Sequence, residues 1–398
     1  MATLLFIDGF EHGKATGGAG APYSSVSGTP GIVTTPVRTG ARSLEISASA
    51  ASEGVQQTVA STIIAFAFYL RFASLPGSTV KLVRLLDASG NAYMRCSSAG
   101  QVSIIVGAGS AVNVGSALST NTWYRVVAEL DASGGTASFR AEINNGTEAT
   151  ATNVQASANV TGVQLGPDDA VTYTAYFDDY LISATNGDYE EIAAWTSHSV
   201  QGLIPSADGS HNITTSGDFD SFVGTAFSNS TTTGNTFIGH RPLQLANTAD
   251  QVIRQELGTT ANYMEFTLEN LTSPEANVAG VYTRGAHIES AASGASLGEM
   301  QLLLSDNTEV LTAGSISMIN STEDPGITLT LRKRMTIAPA GGWDTTKVDG
   351  LKVRLGFSDN APDVNFIDCM VEVALFTPAA GAGSLPSTPQ ARRLRAWL

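Results

Sequence analysis

The segment AFAFYLRF sets Phe66, Phe68, Leu70 and Phe72 on alternate positions. A period of two is that of a strand with one face turned to a core. The alternation returns in YRVVAEL, where Val126, Ala128 and Leu130 share one side and Arg125, Val127 and Glu129 the other. This predicts a strand with one buried and one better-solvated face. Turn formers separate such runs: DASGG lies between YRVVAEL and ASFRAEI, and ASGN interrupts RLLDASGNAYMRC. Both are hairpin signals.

Strand-like runs continue through the chain. TLLFIDGF opens it, and AVTYTAYFDDYLISA closes a first series near Ala184. NGDYEEIAAW, with its Asn-Gly and paired glutamates, reads as a connector. A second series then begins, from VIRQEL to VNFIDCMVEVALF. The expected organisation is all-β, with two β-sandwich (jelly-roll) domains in tandem at 1–187 and 195–378. Residues 188–194 join them, and 379–398 form a linker and an extended C-terminal arm.

Composition supports strands over helices. Charged residues make up 14% of the 398, glycine is present 40 times, and long helices need more Glu, Lys, Arg and Leu than this. The net charge of −15 repels phosphate backbones and anionic bilayers, so neither nucleic acid nor a membrane surface is an expected partner. No run is long enough to insert as a membrane helix, and MATLLFIDGFEHG lacks the basic start of a secretory signal peptide, so a product made in a cytoplasm is expected. Cys96 and Cys369 are far apart and read as two buried thiols. The arm ends in ARRLRAWL. Arg392, Arg393 and Arg395 bring positive charge to an acidic body, while Leu394, Trp397 and Leu398 suit a pocket. Trp and Arg are common interface anchors, so the arm is expected to dock on a neighbouring subunit.

The phrases GARSLEI, FAFYLRF, VKLVRLLDASGNAYMRC, NTWYRVVAELDASGGTASFRAEINNG and YFDDYLI together make the first half resemble the concanavalin A-like, laminin-G-type jelly roll. Adding GLIPSADGSHN, DFDSF and VDGLKVRLGFSDN from the second half, the layout is similar to minor structural proteins of tailed bacteriophages. That resemblance implies a virion component, most often a minor tail or tail-tip protein and sometimes a head-decoration protein. Its partners would be other virion proteins, copies of itself and, in a receptor-binding variant, host-surface glycans. It also implies a calcium site at the sandwich rim, for which Asp178, Asp179 and Asp8 are the carry-over residues. A buried structural carboxylate bonded to backbone N–H groups also accounts for them, and is the reading the residues favour.

Catalysis has no support in the sequence. A glycosidase on such a sandwich needs two carboxylates on one face. The adjacent Asp178 and Asp179 would point to opposite faces of a strand, and Asp218 and Asp220 lie in a Ser/Gly-rich loop. The five histidines (His12, His198, His211, His240 and His287) have no metal spacing, and there is no Gly-x-Ser-x-Gly or phosphate loop. A non-enzyme is expected. Aromatics suited to sugar stacking are Trp123, Tyr173, Tyr176 and Trp195, of which Trp123 is read as core.

Overall fold

The computed structural model describes residues 4–379 except 14, 16, 18–22, 48–51, 88–91, 155–158, 167–170, 212–252, 256–262, 290–296, 309, 311–315, 320–329, 336–337 and 358–363. The arm, Cys369's side chain, Asp218, Asp220, His240 and the side chains of His211 and His287 lie outside what is described.

The first half is built of strands alone. In chain order they are β1 (Leu4–Asp8), β2 (Ser25–Ser27), β3 (Gly31–Val33), β4 (Ser43–Ile46) and β5 (Gly54–Ser61). Then come β6 (Ile63–Ser74), β7 (Val80–Asp87), β8 (Ala92–Cys96), β9 (Val102–Val106) and β10 (Val112–Asn113). β11 (Tyr124–Asp131), β12 (Thr136–Ile143), β13 (Ala149–Val154), β14 (Val160–Leu165) and β15 (Thr174–Ser183) complete it. An eight-stranded sheet runs β13-β12-β11-β6-β15-β4-β3 with β1 added beside β15, and a seven-stranded sheet runs β10-β9-β8-β7-β14-β5-β2. Their inner faces form the core, where Phe66, Phe68, Leu70, Phe72, Val126, Ala128 and Leu130 are all fully buried. DASGG makes the β11–β12 turn: Asp131 Oδ1 accepts from Ser133 N at 2.9 Å and from Ser133 Oγ at 2.6 Å, an Asx turn.

The expected solvated face of β11 is buried instead. Arg125, Val127 and Glu129 are 2%, 0% and 4% exposed. A short helix, α1 (Asp188–Ala193), lies over that face, with Tyr189 and Ile192 turned inward. Arg125 Nη2 donates to the Ile192 carbonyl, and Arg140 sits 4.0 Å over the Tyr189 ring while pairing with Glu129 at 2.7 Å. Alternation reports which side chains share a face but is blind to what covers the outer one.

The second half continues with β16 (Trp195–Leu203), β17 (Pro205–His211), β18 (Ile253–Gln255), β19 (Tyr263–Leu268) and β20 (Asn277–Glu289). It ends with β21 (Leu297–Leu303), β22 (Ile316–Ile319), β23 (Thr330–Met335), α2 (Thr345–Asp349), β24 (Lys352–Phe357) and β25 (Val364–Pro378). One sheet orders β16-β25-β20-β23 with β18 on β25, and the other β17-β19-β24-β21-β22. The protein is therefore all-β, as expected from the pattern. No helix among the described residues is long and apolar enough to cross a membrane.

The two halves share buried surface. Tyr282, Ala374 and Phe376 of the second belong to the same apolar cluster as the first half's core. Phe6 meets Tyr282 edge-on at 6.1 Å, and the Tyr69 and His198 rings lie 4.9 Å apart. Gly9, just beyond β1, is pressed against β16: a Cβ there would lie 2.6 Å from the Val200 carbonyl oxygen. Only a residue without a side chain permits that approach.

Candidate functional site: a buried acidic junction and the cleft beside it

The Asp178–Asp179 pair sits where the two sandwiches meet. β15 does not run straight through it. Its register with β6 slips between Asp178 and Leu181, and Asp179 adopts φ +52°, a left-handed conformation that Asp tolerates better than most residues. This bulge corrects the expectation that the two carboxylates face opposite ways. Both turn to the loop carrying Arg38. Asp178 Oδ2 accepts from Arg38 N at 2.8 Å, and its Oδ1 accepts from Asp179 N at 2.8 Å. Asp179 Oδ2 faces Arg38 Nη1 at 3.3 Å.

Asp179 also reaches across the junction. Its Oδ1 accepts from Val200 N at 2.6 Å, on β16, and from Thr39 Oγ1 at 2.5 Å. His198 Nε2 lies 2.9 Å from its carbonyl oxygen, and Arg125 Nε lies 3.3 Å from His198 Nδ1. Arg38 is shared further: Nη2 is 3.8 Å from Glu275 Oε1, and the guanidinium lies 3.8 Å over the Tyr69 ring. A second tie runs from Gly9 N to the buried Glu372 Oε1 at 3.0 Å. Residues distant in sequence thus satisfy each other's buried polar groups, as they must once removed from water.

Burial sets the electrostatics. Asp179 is pushed up to about 6, chiefly by desolvation, with Arg38 opposing. Asp178 is also held well above its ordinary value by burial and by Asp179's charge. His198 is held well below its ordinary value by burial and by the nearby Arg125 and Arg38 charges. The folded protein therefore holds a proton on Asp179 at a pH where the unfolded chain has released it. Stability contributed by this group falls as pH rises from the ordinary value of 3.8 to about 6. The neutral His198 acts in the opposite sense, losing stability as pH falls through 6.5, where the unfolded ring takes a proton.

Two interacting carboxylates with raised affinities for a proton are also the ingredients of an acid–base pair. Here both are 0% exposed, and their oxygens are engaged by amides, Thr39 and Arg38, so the arrangement holds two sandwiches together. Asp8, the third residue of the calcium expectation, makes its own cluster: Oδ1 accepts from Phe10 N at 2.7 Å, Oδ2 accepts from Tyr23 Oη at 2.8 Å, and His12 Nε2 lies 3.3 Å from Oδ2. Among the described residues no group of three acidic, His or Cys side chains is arranged to hold a metal ion.

Of the sugar-stacking aromatics, Tyr173, Tyr176 and Trp195 are buried. Trp123, expected in the core, is only partly buried. A partly exposed aromatic outside that set is Tyr93, on the outer face of the seven-stranded sheet, with Lys81 Nζ 4.8 Å and Arg95 Cζ 5.5 Å from its ring. Its alternation with Ala92, Met94 and Cys96, all buried, is the signal that marks it in the sequence.

Beside the junction, a cleft of about 570 Å³ opens between the sandwiches. Glu11 and Gly40 come from the first half, and Gln201, Ile204, Leu268, Glu269 and Met370 from the second. Gly40, at φ +63°, leaves no room for a Cβ beside the Glu11 carboxylate, which accepts from Ala41 N at 2.6 Å. Gln201 Oε1 accepts from Thr272 N and Ser273 N at 2.9 and 3.1 Å, fixing the opposite wall.

No protein-family model and no curated protein matches the sequence. Among solved structures, the chain is similar to Trypanosoma rangeli sialidase in complex with the inhibitor DANA, at 15% identity and a TM-score of 0.34, over 46% of this chain and 31% of that one. Another sialidase aligns at 11% identity and TM-score 0.36, over 47% and 19%. The native heptameric SAP-like pentraxin from Limulus polyphemus aligns at 15% and 0.29, over 38% and 81%. This chain spans less than a third of the sialidases' length. At these identities and TM-scores, the likenesses transfer no activity, ligand or partner.

Proposed function

We propose that this chain is a non-catalytic structural subunit of a tailed-phage particle, a rigid two-sandwich bracket in or near the tail. The junction carries this reading. Its carboxylates are buried and committed to joining the sandwiches, so this polar constellation serves shape. Rigid geometry is what an assembly component must supply. The phrase-level resemblance to minor tail proteins and the acidic, charge-poor composition support the same role. Immunogold labelling of intact particles with antibody against this chain is the test. Label at the tail supports the proposal, label over the head moves the subunit to decoration, and unlabelled particles with the protein free in the lysate refute it.

A second reading, contact with host-surface glycans, draws on Tyr93. A partly exposed ring beside Lys81 and Arg95 offers a stacking face and charge for an anionic sugar. Tyr93→Ala should then abolish glycan-array signal of the isolated protein while leaving its fold intact. An array with no signal from the wild type would dismiss the reading.

A further inference from the structure

The inter-sandwich cleft has a definite chemistry. Ile204, Leu268 and Met370 give it an apolar floor, Glu11 and Glu269 are its charged residues, and no Lys or Arg is among the described residues that line it. Its volume, about 570 Å³, lies in the range that accepts a drug-sized ligand, room for a few large side chains. The complementary segment is in the same chain. Every charged residue of 379–398 is an arginine, namely Arg392, Arg393 and Arg395, interleaved with Leu394 and followed by Trp397 and Leu398. We propose that residues 391–398 of the chain dock in the chain's own inter-sandwich cleft, arginines towards the exposed Glu269, Leu394 and Trp397 on the apolar floor.

The tether decides for the chain's own cleft over a neighbour's. Met370, in the cleft wall, and Pro378, at the end of β25, lie on one strand, so the cleft is about 27 Å from the arm's root at ~3.4 Å per residue. The intervening residues 379–391 are rich in Gly, Ala, Ser and Pro. For a linker of that length and composition the average end-to-end distance is about 20 Å and the fully extended reach about 45 Å. Span and tether are therefore well matched, the condition under which a tethered segment reaches its highest, millimolar effective concentration. A separate copy at micromolar concentration competes poorly against that. The sequence alone suggests a neighbouring subunit as the arm's partner. The cleft and the tether length redirect it in the isolated chain, and this inference does not depend on the particle role.

Paired cysteines in the full chain provide the test. Glu269→Cys with Leu394→Cys is compared with Glu148→Cys with Leu394→Cys, where Glu148 is exposed on the first sandwich. Cys369 is replaced by Ser throughout, and thermal melts confirm folding of each variant. Under mild oxidation at micromolar protein, the proposal expects an intramolecular disulfide at position 269, seen as a faster-migrating monomer on non-reducing gels. It should form about tenfold or more faster than at position 148, given the local concentration of a seated arm. Equal rates at the two positions overturn docking in the cleft. A disulfide-linked dimer as the main product at position 269 overturns the choice of the chain's own arm.

Discussion

Asp179→Ala tests the junction directly. The substitution leaves the Val200 N–H buried without its acceptor, a loss of about 1–3 kcal/mol. It removes the Arg38 ion pair, worth up to about 1 kcal/mol because the Arg38 side chain remains 19% exposed. It also places Ala at φ +52°, costing about 1 kcal/mol more. Part of this is offset because the buried carboxylate was itself held under a desolvation penalty, visible in its raised proton affinity. The net expectation is a loss of about 2–4 kcal/mol, within the upper range for single substitutions. Guanidinium denaturation followed by both fluorescence and far-UV circular dichroism reads it. In the wild type the shared core and polar ties should make the two probes coincide. In the variant the midpoint should fall and the probes should separate as the sandwiches uncouple. Asp179→Asn, which keeps an acceptor and tolerates the backbone conformation, should recover more than half of the loss. A variant Asp179→Ala with unchanged midpoint and coincident transitions would refute the view that this residue joins the halves.

Three further outcomes are expected. Gly9→Ala should destabilise by about 1–3 kcal/mol because its methyl would strike the Val200 carbonyl, whereas Gly77→Ala, with open space around it, should stay within about 0.5 kcal/mol in the same thermal melts. Cys96, buried with its thiol pushed up to about 12, should resist iodoacetamide in the native protein at pH 8 and react once the chain is unfolded, as peptide mapping of the modified site would record. Between pH 4 and about 6 the unfolding free energy of the wild type minus that of Asp179→Asn should fall as pH rises; Asp178, whose proton affinity the Asp179 charge raises in the wild type, shifts the difference in the same direction, and a difference that grows with pH across this window would contradict the assigned direction.

How far the sequence alone reaches is clear at β6 and β15. In β6, alternation identifies Phe66, Phe68, Leu70 and Phe72, all of which are buried. It does not show that Ala65, Ala67 and Tyr69 between them are buried too. That second burial comes from α1 and the start of β16, elements more than a hundred residues downstream, and no local period encodes it. In β15 the acidic doublet stands out in the sequence, but a regular strand would set its carboxylates on opposite faces. A single bulge, enabled by one residue at positive φ, turns two opposed carboxylates into one site. Their partners Arg38 and Val200 carry no motif, since an arginine and a backbone amide become informative only when the fold brings them to the carboxylates. Tyr93 is legible by its alternation with Ala92, Met94 and Cys96 in RLLDASGNAYMRC.

The composition of the junction bears on why it is polar at all. Phe6 against Tyr282 supplies contact area, and apolar contact of that kind stabilises over a range of angles because it has little direction. Asp179 to Val200 N and Glu372 to Gly9 N are directional bonds; rotating one sandwich on the other would strand a buried carboxylate or amide, each costing about 1–3 kcal/mol. An all-apolar junction of similar volume could be equally or more stable, so stability alone does not explain burying Asp178, Asp179, Glu372 and Arg125 here. A fixed angle does. Replacing the Asp179–Arg38–Thr39 set with apolar residues of matching size still strands the Val200 N–H, so the melting temperature should fall as in Asp179→Ala; where the variant remains folded, the distribution of inter-sandwich distances measured by paired spin labels should broaden, and an unchanged narrow distribution would assign the fixed angle to the apolar contacts instead.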